Sequence, residues 1–400
     1  MALGQVIDIS RARSHHSNQA ESRGSDQRDF YEVEIDICER LLACYPNHYQ
    51  AWNYRSYLLA STEQYAEAAE SYRRTVELKA TEPRIWCNYG VVLDKLSCYD
   101  QAIDCYNQAL SLRPSYFKAV YRRSKDLHRL HAYHRAVESY AQALELRPDF
   151  YKVWYYRGKA LLQLKQLDAA ISSFQQALDL HDSDSKVWVS LGKAYLKQQE
   201  NTKALEHFAK ALELSPADGV IWSYQAYAQK RLGRLEASLA SFDQAVALDP
   251  LEHQLWYQRA LLLIDLKRYG DAAESLTQSL KQQAYSAGGW LAMGWVQQHL
   301  GDYERAIEAY DKSLAVEPNQ PFAFYNQARC HALLHHADWA MEHLRRAISL
   351  RPHVYLEKAQ TDPVLKSFYQ EDMWLSPHED ITVLEGGRDE SVEEVTFESP

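Results

Sequence analysis

Lysine, arginine and tyrosine side chains recur at short intervals between residues 84 and 231 of this 400-residue chain. They are Arg84, Lys118, Tyr121, Arg122, Lys125, Arg129, Lys152, Tyr155, Lys159, Lys186, Lys193, Lys197, Tyr224, Tyr227 and Arg231. Lysine and arginine pair with carboxylates or phosphates, and tyrosine rings offer flat surfaces for apolar and cation–π contacts. These residue types predict a surface that binds an acidic partner, provided that the fold brings them to one face.

No arrangement of residues favours catalysis. The sequence contains no P-loop, no G-x-G-x-x-G after a strand, no G-x-S-x-G and no H-E-x-x-H. Histidines cluster in two places, at His128, His131 and His134 and at His331, His335 and His336. His331 and His335 have the spacing of one helical turn, but neither cluster has a thiolate or carboxylate at ligand spacing, which favours surface histidines over a metal site. We predict a protein that is not an enzyme and has no metal and no cofactor.

A 34-residue pattern positions these side chains. It returns without insertion or deletion from Tyr49 to Val354, which gives nine consecutive repeats. Each repeat holds two stretches with apolar or small residues at three- and four-residue spacing, as in amphipathic helices. The fourth position reads Trp52, Trp86, Val120, Trp154, Trp188, Trp222, Trp256, Trp290 and Phe324, and the eighth is always Gly, Ala or Ser. Large residues beside small ones at fixed offsets allow two antiparallel helices to approach closely.

One repeat shows the pattern most fully, with Trp188, Leu191, Gly192 and Tyr195 in its first stretch, Ala204, Phe208 and Ala211 in its second, and then Pro216. In repeat length and in this order of residues the chain resembles the tetratricopeptide repeat (TPR) proteins. The resemblance covers about three quarters of the chain. It implies an all-α fold, a right-handed superhelical solenoid of antiparallel helix pairs, in which the first helix of each pair lines a concave groove.

The charges fall on one side of the first helix. Numbered from the start of each repeat, positions 4, 7, 8 and 11 form a predicted buried stripe, and positions 2, 5, 6, 9 and 13 lie opposite. Thirteen basic residues, Lys95 and Arg329 among them, occupy the opposite positions against one acid, Asp265. The resemblance implies that these positions face the groove. The bias therefore predicts a basic groove for an acidic partner, with a solvated charged face as the alternative.

A finer resemblance concerns the carboxylate end of a peptide. Some TPR domains hold it with Lys and Asn in one repeat, Asn in the next, and Lys and Arg in a third. Asn88, Lys118 and Arg122 match the second and third of these sets, which adds Asn88 to the candidate binding residues. The first repeat departs from the pattern, with Asn53 and Tyr57 where Lys and Asn are expected.

The groove positions become apolar in the last repeats. The residues there include Tyr257, Leu261, Leu291, Trp295, Phe322 and Tyr325. This change predicts a ligand surface that is basic in the middle repeats and hydrophobic near the end of the array. The alternative is that the superhelix or the C-terminal tail covers the apolar patch.

The remaining segments divide by composition. We predict a disordered segment over residues 1–25, a capping half repeat over 26–48, the nine repeats over 49–354, a capping helix over 355–377, and an acidic disordered tail over 378–400. The tail carries eight acidic residues against one basic residue, Arg388. Its charge and its attachment to the chain make it a candidate ligand for the groove.

The overall composition is that of a globular protein, with 46% hydrophobic and 24% charged residues and a net charge of -10. No stretch has the ~18 uninterrupted apolar residues of a membrane span, and the first residues lack the apolar run of a signal peptide. The six cysteines show no C-x-x-C pair. We therefore predict a cytoplasmic, non-catalytic scaffold, adaptor or assembly factor that binds an acidic extended segment of a partner protein. The alternatives are a groove for single-stranded nucleic acid, and a regulatory subunit of an enzyme complex.

Overall fold

The computed structural model of the protein describes residues 24–366, with side chains from residue 30 onward. Within this range the chain forms twenty α-helices and no strand. The helices are α1 (Gly24–Cys44), α2 (Tyr49–Ser61), α3 (Tyr65–Leu78), α4 (Pro83–Lys95), α5 (Tyr99–Leu112), α6 (Phe117–Arg129), α7 (Tyr133–Leu146), α8 (Tyr151–Gln163), α9 (Leu167–Leu180), α10 (Ser185–Lys197), α11 (Asn201–Leu214), α12 (Gly219–Arg231), α13 (Leu235–Leu248), α14 (His253–Asp265), α15 (Tyr269–Gln282), α16 (Ala287–Leu300), α17 (Tyr303–Val316), α18 (Pro321–Leu333), α19 (Ala337–Leu350) and α20 (Pro352–Thr361).

The nine pairs from α2/α3 to α18/α19 begin every 34 residues. This confirms the predicted all-α solenoid of nine helix pairs. Among the described helices, none is both long and apolar enough to cross a lipid bilayer. The predicted acidic tail over 378–400, nearly all of the predicted segment 1–25 and the end of the predicted cap over 355–377 lie outside the described residues.

In six repeats the tryptophan at position 4 connects the first helix to the turn before it. Its indole Nε1 donates a hydrogen bond to the carbonyl oxygen six residues earlier. The donors and acceptors are Trp52 and Pro46, Trp86 and Ala80, Trp154 and Pro148, Trp222 and Pro216, Trp256 and Pro250, and Trp290 and Ala284, at 2.7–3.0 Å. The rings are therefore only half-buried, because the indole edge must reach the surface turn.

The close approach of the two helices in a pair depends on glycine at position 8. A Cβ atom built on Gly192 would lie 2.5 Å from Cε1 of Phe208, which is far inside van der Waals contact. Gly90, Gly158 and Gly294 face Tyr106, Phe174 and Tyr310 in the same way, at 2.6 Å. The aromatic rings in these four repeats are therefore packed directly on glycine backbone.

The turn inside every pair uses a left-handed residue at position 15. Glycine fills it at Gly233 and Gly301. The other seven repeats place a side chain there, namely Glu63, Ser97, His131, Lys165, Gln199, Lys267 and His335, with φ between 58° and 64°. Two histidines of the predicted clusters thus lie in turns, where the helical spacing that relates His331 to His335 no longer applies.

The helix packing divides the chain into two units, residues Met1–Asp182 and Ser183–Pro400. Unit 1 contains α1–α9 and unit 2 contains α10–α20. Neighbouring first helices touch each other, α4 with α6 and α6 with α8 in unit 1, and α10 with α12, α14 with α16 and α16 with α18 in unit 2. Neighbouring second helices in the described chain do not come as close. The first helices therefore lie on the inner side of each unit, and we call positions 2, 5, 6, 9 and 13 of the first helices the inner face.

Candidate binding surface

All predicted binding residues in unit 1 lie on the first helices α4, α6 and α8. Helix α4 carries Arg84 and Asn88, helix α6 carries Lys118, Tyr121, Arg122, Lys125 and Arg129, and helix α8 carries Lys152, Tyr155 and Lys159. Arg84, Lys118, Arg129 and Lys152 are exposed, whereas the other six are half-buried. Because α4 touches α6 and α6 touches α8, these side chains form one continuous part of the inner face.

Unit 2 carries the remaining predicted residues on α10 and α12. Lys186, Lys193 and Lys197 are on α10, and Tyr224, Tyr227 and Arg231 are on α12. The structure brings these two helices into contact. It therefore places a second, smaller group of basic and aromatic side chains on the inner face of unit 2.

Tyrosine rings hold several of the cations. In unit 1, Nζ of Lys125 lies 6.0 Å from the ring centre of Tyr121 and 5.5 Å from that of Tyr156. In unit 2, Nζ of Lys193 lies 4.5 Å from the Tyr224 ring and donates to the Tyr224 hydroxyl at 2.7 Å. Side chains held in this way lose less conformational freedom when they bind a ligand.

Two buried carboxylates in unit 1 were missed by the sequence analysis. Oδ1 of Asp94 forms an ion pair with Nη1 of Arg129, and Oδ2 of Asp94 lies 3.6 Å from Nη1 of Arg122. Asp126 is 1% exposed, and its Oδ1 lies 3.1 Å from Nη1 of Arg129. These acids occupy positions 12 and 10, which the count of groove positions left out. The charge of Arg129 is therefore largely balanced inside the protein, and part of that of Arg122 as well.

The ionisation of Asp126 is unfavourable in the folded protein. Burial raises the pKa of its carboxyl to about 7, and the nearby Arg122 and Lys125 only partly oppose this. An unfolded aspartate titrates near pH 3.9, so the folded carboxyl keeps its proton between about pH 4 and pH 7 where the unfolded one has lost it. The stability that this group contributes is present below about pH 4 and is lost as the pH rises through 7.

We expect the substitution Asp126→Asn to remove this pH dependence. The amide keeps the size of the carboxyl and cannot ionise, so the unfolding midpoint of the variant minus that of the wild type will be higher at pH 8 than at pH 5. Thermal unfolding at the two pH values measures it. An equal difference at both would show that Asp126 does not ionise in this range.

The structure also brings together the three residues that match a carboxylate clamp. Nζ of Lys118 donates to Oδ1 of Asn88 at 3.4 Å, and Arg122 lies one turn after Lys118 on α6. In the first repeat, Tyr57 is 54% exposed at the position where the clamp has asparagine. The site therefore contains part of the clamp geometry, in α4 and α6 only.

The inner face of repeat 9 in unit 2 already holds a carboxylate. Oδ2 of Asp362, which follows α20, lies 2.9 Å from Nε of Arg329 and accepts a hydrogen bond from the Tyr325 hydroxyl at 2.7 Å. The side chain of Asp362 is only 8% exposed. Tyr325 and Arg329 are positions 5 and 9 of their repeat, so a carboxylate binds between these two inner-face positions.

The predicted apolar end of the groove is smaller than expected. Leu261, Leu291 and Tyr325 are buried at 2%, 9% and 8% exposure, because neighbouring helices pack against them. Tyr257, Trp295 and Phe322 remain half-buried. The sequence pattern placed all six residues on the groove surface. This is wrong for Leu261, Leu291 and Tyr325.

Within the described part of the chain, neither metal ligation nor disulfide formation is indicated. No group of three or more His, Cys, Asp or Glu side chains among residues 30–366 has an arrangement that could hold a metal ion. All six cysteines are free, with Cys38, Cys87, Cys105 and Cys330 buried and Cys44 and Cys98 exposed. Burial raises the pKa of Cys38 to about 11, which makes its thiol unreactive at neutral pH.

Comparisons with known proteins give the same repeat over most of the described chain. Family models described as tetratricopeptide repeat match residues 83–116, 121–185, 166–219, 225–287 and 287–320, from α4 to α17. A model described as the protein prenyltransferase alpha subunit repeat matches residues 31–62. No curated protein matches the chain significantly.

Several solved structures resemble the chain. A tetratricopeptide repeat protein from Parabacteroides merdae is 14% identical, with 70% of this chain and 97% of that chain covered and a TM-score of 0.45. YrrB, described as a TPR protein with an unusual peptide-binding site, is 19% identical, with 47% and 96% covered and a TM-score of 0.41. The Cut9-Hcn1 hetero-tetramer of the APC/C is 12% identical, with 86% and 94% covered and a TM-score of 0.43.

Proposed function

Because the chain belongs to the tetratricopeptide repeat family, we propose that it is a non-catalytic scaffold that binds an acidic, extended segment of a partner protein on its inner face. Proteins of this family generally act in protein–protein interaction. The acidic partner and its site are our proposal, and the charge and geometry of the inner face support them.

The observation that carries the proposal is the way the chain holds its own Asp362. A tyrosine at position 5 donates a hydrogen bond to that carboxylate, and a cation at position 9 pairs with it. Repeats 3 and 4 carry the same combination, as Tyr121 with Lys125 and Tyr155 with Lys159. We infer that these two pairs hold acidic side chains of a partner, in the same manner and one repeat apart.

The electrostatics of unit 1 favour such a ligand. Burial lowers the pKa of Lys125, and the positive charges of Arg122, Lys152 and Lys95 lower it further, with opposition from Asp126. Four basic groups therefore lie close enough to repel one another. A carboxylate bound among them relieves this repulsion and favours the charged form of Lys125.

The acidic tail over residues 378–400 is our proposed competitor for the same surface. It lies outside the described residues, but Asp362 brings the chain that leads to it onto the inner face of repeat 9. A tail tethered to the protein reaches an effective concentration in the millimolar range, which exceeds that of most free partners. We infer that the tail weakens partner binding until it is displaced.

A peptide with the sequence of residues 378–400 tests both proposals. In fluorescence anisotropy we expect saturable, salt-sensitive binding to the chain ended at Pro377, and binding at least about tenfold weaker to the full chain, since its own tail competes. Equal affinity for the two chains would contradict competition by the tail. No binding to the shorter chain, together with tight binding of single-stranded RNA at low salt, would overturn the acidic-peptide proposal in favour of nucleic acid.

A further inference from the structure

Position 7 of the first helix holds a polar residue in several repeats, contrary to the predicted buried stripe. Arginine occupies it at Arg55, Arg123, Arg157 and Arg259, all half-buried. Each guanidinium donates to a serine sixteen residues later, in the second helix of the same repeat. The acceptors are Ser71, Ser139 at 3.1 Å, Ser173 at 2.8 Å and Ser275 at 2.5 Å. These hydrogen bonds explain how a cation is tolerated in a stripe that the periodicity assigns to the core.

The same side chains bind a second acceptor, sixteen residues earlier, on the helix that precedes. The contacts join Arg55 to Glu39 at 2.7 Å, Arg123 to Asn107 at 3.1 Å, Arg259 to Asp243 at 2.7 Å and, with glutamine at position 7, Gln327 to Asp311 at 2.6 Å. In three repeats, therefore, the arginine at position 7 lies between the serine of its own repeat and an oxygen acceptor on the preceding helix. Gln327 shares only the contact with the preceding helix, where it also donates to the Ile307 carbonyl oxygen.

Arg157 breaks this rule. The residue sixteen positions earlier, on α7, is Ala141, which has no side-chain acceptor. Nη1 of Arg157 binds Ser173, but Nε is buried and has no hydrogen-bond partner. Burial lowers the pKa of Arg157, and no acidic group among the described residues offsets this. A half-buried guanidinium left in this way lowers the stability of unit 1, and an anionic oxygen at the missing position would remove the cost.

The position of the missing acceptor is near the surface in the equivalent repeats. In the equivalent sites the acceptor side chains are about half exposed, at 52% for Glu39 and 47% for Asp243. The guanidinium of Arg157 lies 5.7 Å from the ring centre of Trp154, as those of Arg55 and Arg259 lie 6.0 Å from their tryptophans. The aromatic wall and the serine are therefore present in repeat 4, and only the acceptor differs.

We propose that Arg157, Trp154 and Ser173 form a carboxylate-binding site at the surface of α7 and α8, which an aspartate or glutamate side chain of a partner protein fills. The planar carboxylate fits the edge of a guanidinium group, as Asp243 does beside Arg259. Position 7 is not part of the inner face. The site therefore adds a contact surface that is separate from the groove and does not depend on the groove proposal.

The test uses the full chain and N-acetyl-glutamate α-amide as the probe. The Nε–Hε NMR resonance of Arg157, assigned by its loss in Arg157→Gln, should shift saturably as this compound is added. The neutral isostere N-acetyl-glutamine α-amide should leave it unchanged. In the variant Ala141→Asp we expect the same resonance to be shifted already without ligand and to be unaffected by the probe. The unfolding midpoint of this variant should be about 2 °C higher than that of the wild type.

Three results would overturn the proposal. Equal shifts with the charged and neutral compounds would show that the carboxylate is not recognised, and a full response in Ala141→Asp would place the probe elsewhere. A shift with sodium acetate but none with the blocked glutamate would exclude a protein side chain, since the site would admit only small free anions. If Arg157→Gln fails to fold, Arg157→Lys provides the assignment, because it also removes the Nε–Hε resonance and keeps the positive charge.

Discussion

Replacing Lys118, Arg122 and Lys125 by glutamate will abolish binding of the acidic 378–400 peptide to the chain ended at Pro377. The three side chains lie on one helix, α6, where the positive charge of Arg122 opposes that of Lys125. Loss of three charge-assisted contacts at about 1 kcal/mol each corresponds to roughly a 100-fold weaker affinity, and the introduced repulsion weakens it further. Fluorescence anisotropy at two salt concentrations measures the loss.

A matched triple variant distinguishes binding at the inner face from a general effect of net charge. Arg74→Glu, Arg135→Glu and Lys165→Glu change the charge by the same amount in the same unit, at exposed positions away from the inner face. Glutamate already occupies the turn position of Lys165 in the first repeat, at Glu63, so this change is tolerated by the backbone. If both triple variants lose binding equally, the interaction is a general charge effect and the inner face is not the site.

Gly192→Ala will destabilise unit 2. The new Cβ would lie 2.5 Å from Cε1 of Phe208, so α10 and α11 must move apart. Ala226 does face Phe242 in the next repeat, which shows that such a pair can open far enough for one methyl group. We therefore expect a loss of about 1–3 kcal/mol, the usual range for overpacking, measured by thermal or urea unfolding.

Two further variants show whether packing is the cause. Gly270 lies in α15 with open space around its Cα, so Gly270→Ala should raise stability by about 0.5–1 kcal/mol through helix propensity. Phe208→Leu in the Gly192→Ala background should recover part of the loss, because repeats with Ala260 or Ala328 at this position place Leu276 or Leu344 opposite. Equal losses in both glycine variants would show that the contact with Phe208 is unimportant.

The fold could be predicted from the sequence because the repeated residues occur at a constant spacing. A 34-residue period fixes where each helix begins, and the nine predicted pairs appear at those positions. Side-chain burial was harder to predict. Helical periodicity assigned Arg157 to the core and Leu261 to the groove, yet Arg157 is half-buried and Leu261 is 2% exposed. A hydrogen bond to Ser173, on the second helix of the same repeat, decides the first case, and packing by neighbouring helices decides the second. A pattern within one helix contains neither.

The candidate site was predictable in part. The sign of its charge and the helices that carry it follow from the sequence, and the structure places Lys118, Arg122 and Lys125 together on α6. The buried acids Asp94 and Asp126 were missed because they lie outside the five counted positions. The pairing of Tyr325 and Arg329 with Asp362 was also missed, since it joins an inner-face helix to a residue beyond the last repeat.

Because the helix pairs are evenly spaced, the length of the inner face can be changed in whole repeats. Since every pair begins 34 residues after the one before, excising 34 consecutive residues inside unit 2, such as 253–286, joins two helix pairs in unchanged register. Each excision or duplication changes the length of the inner face by one whole step and leaves the remaining interfaces of the same kind. The footprint of a bound segment can thus be measured in repeats, by finding how many steps are removed before affinity falls.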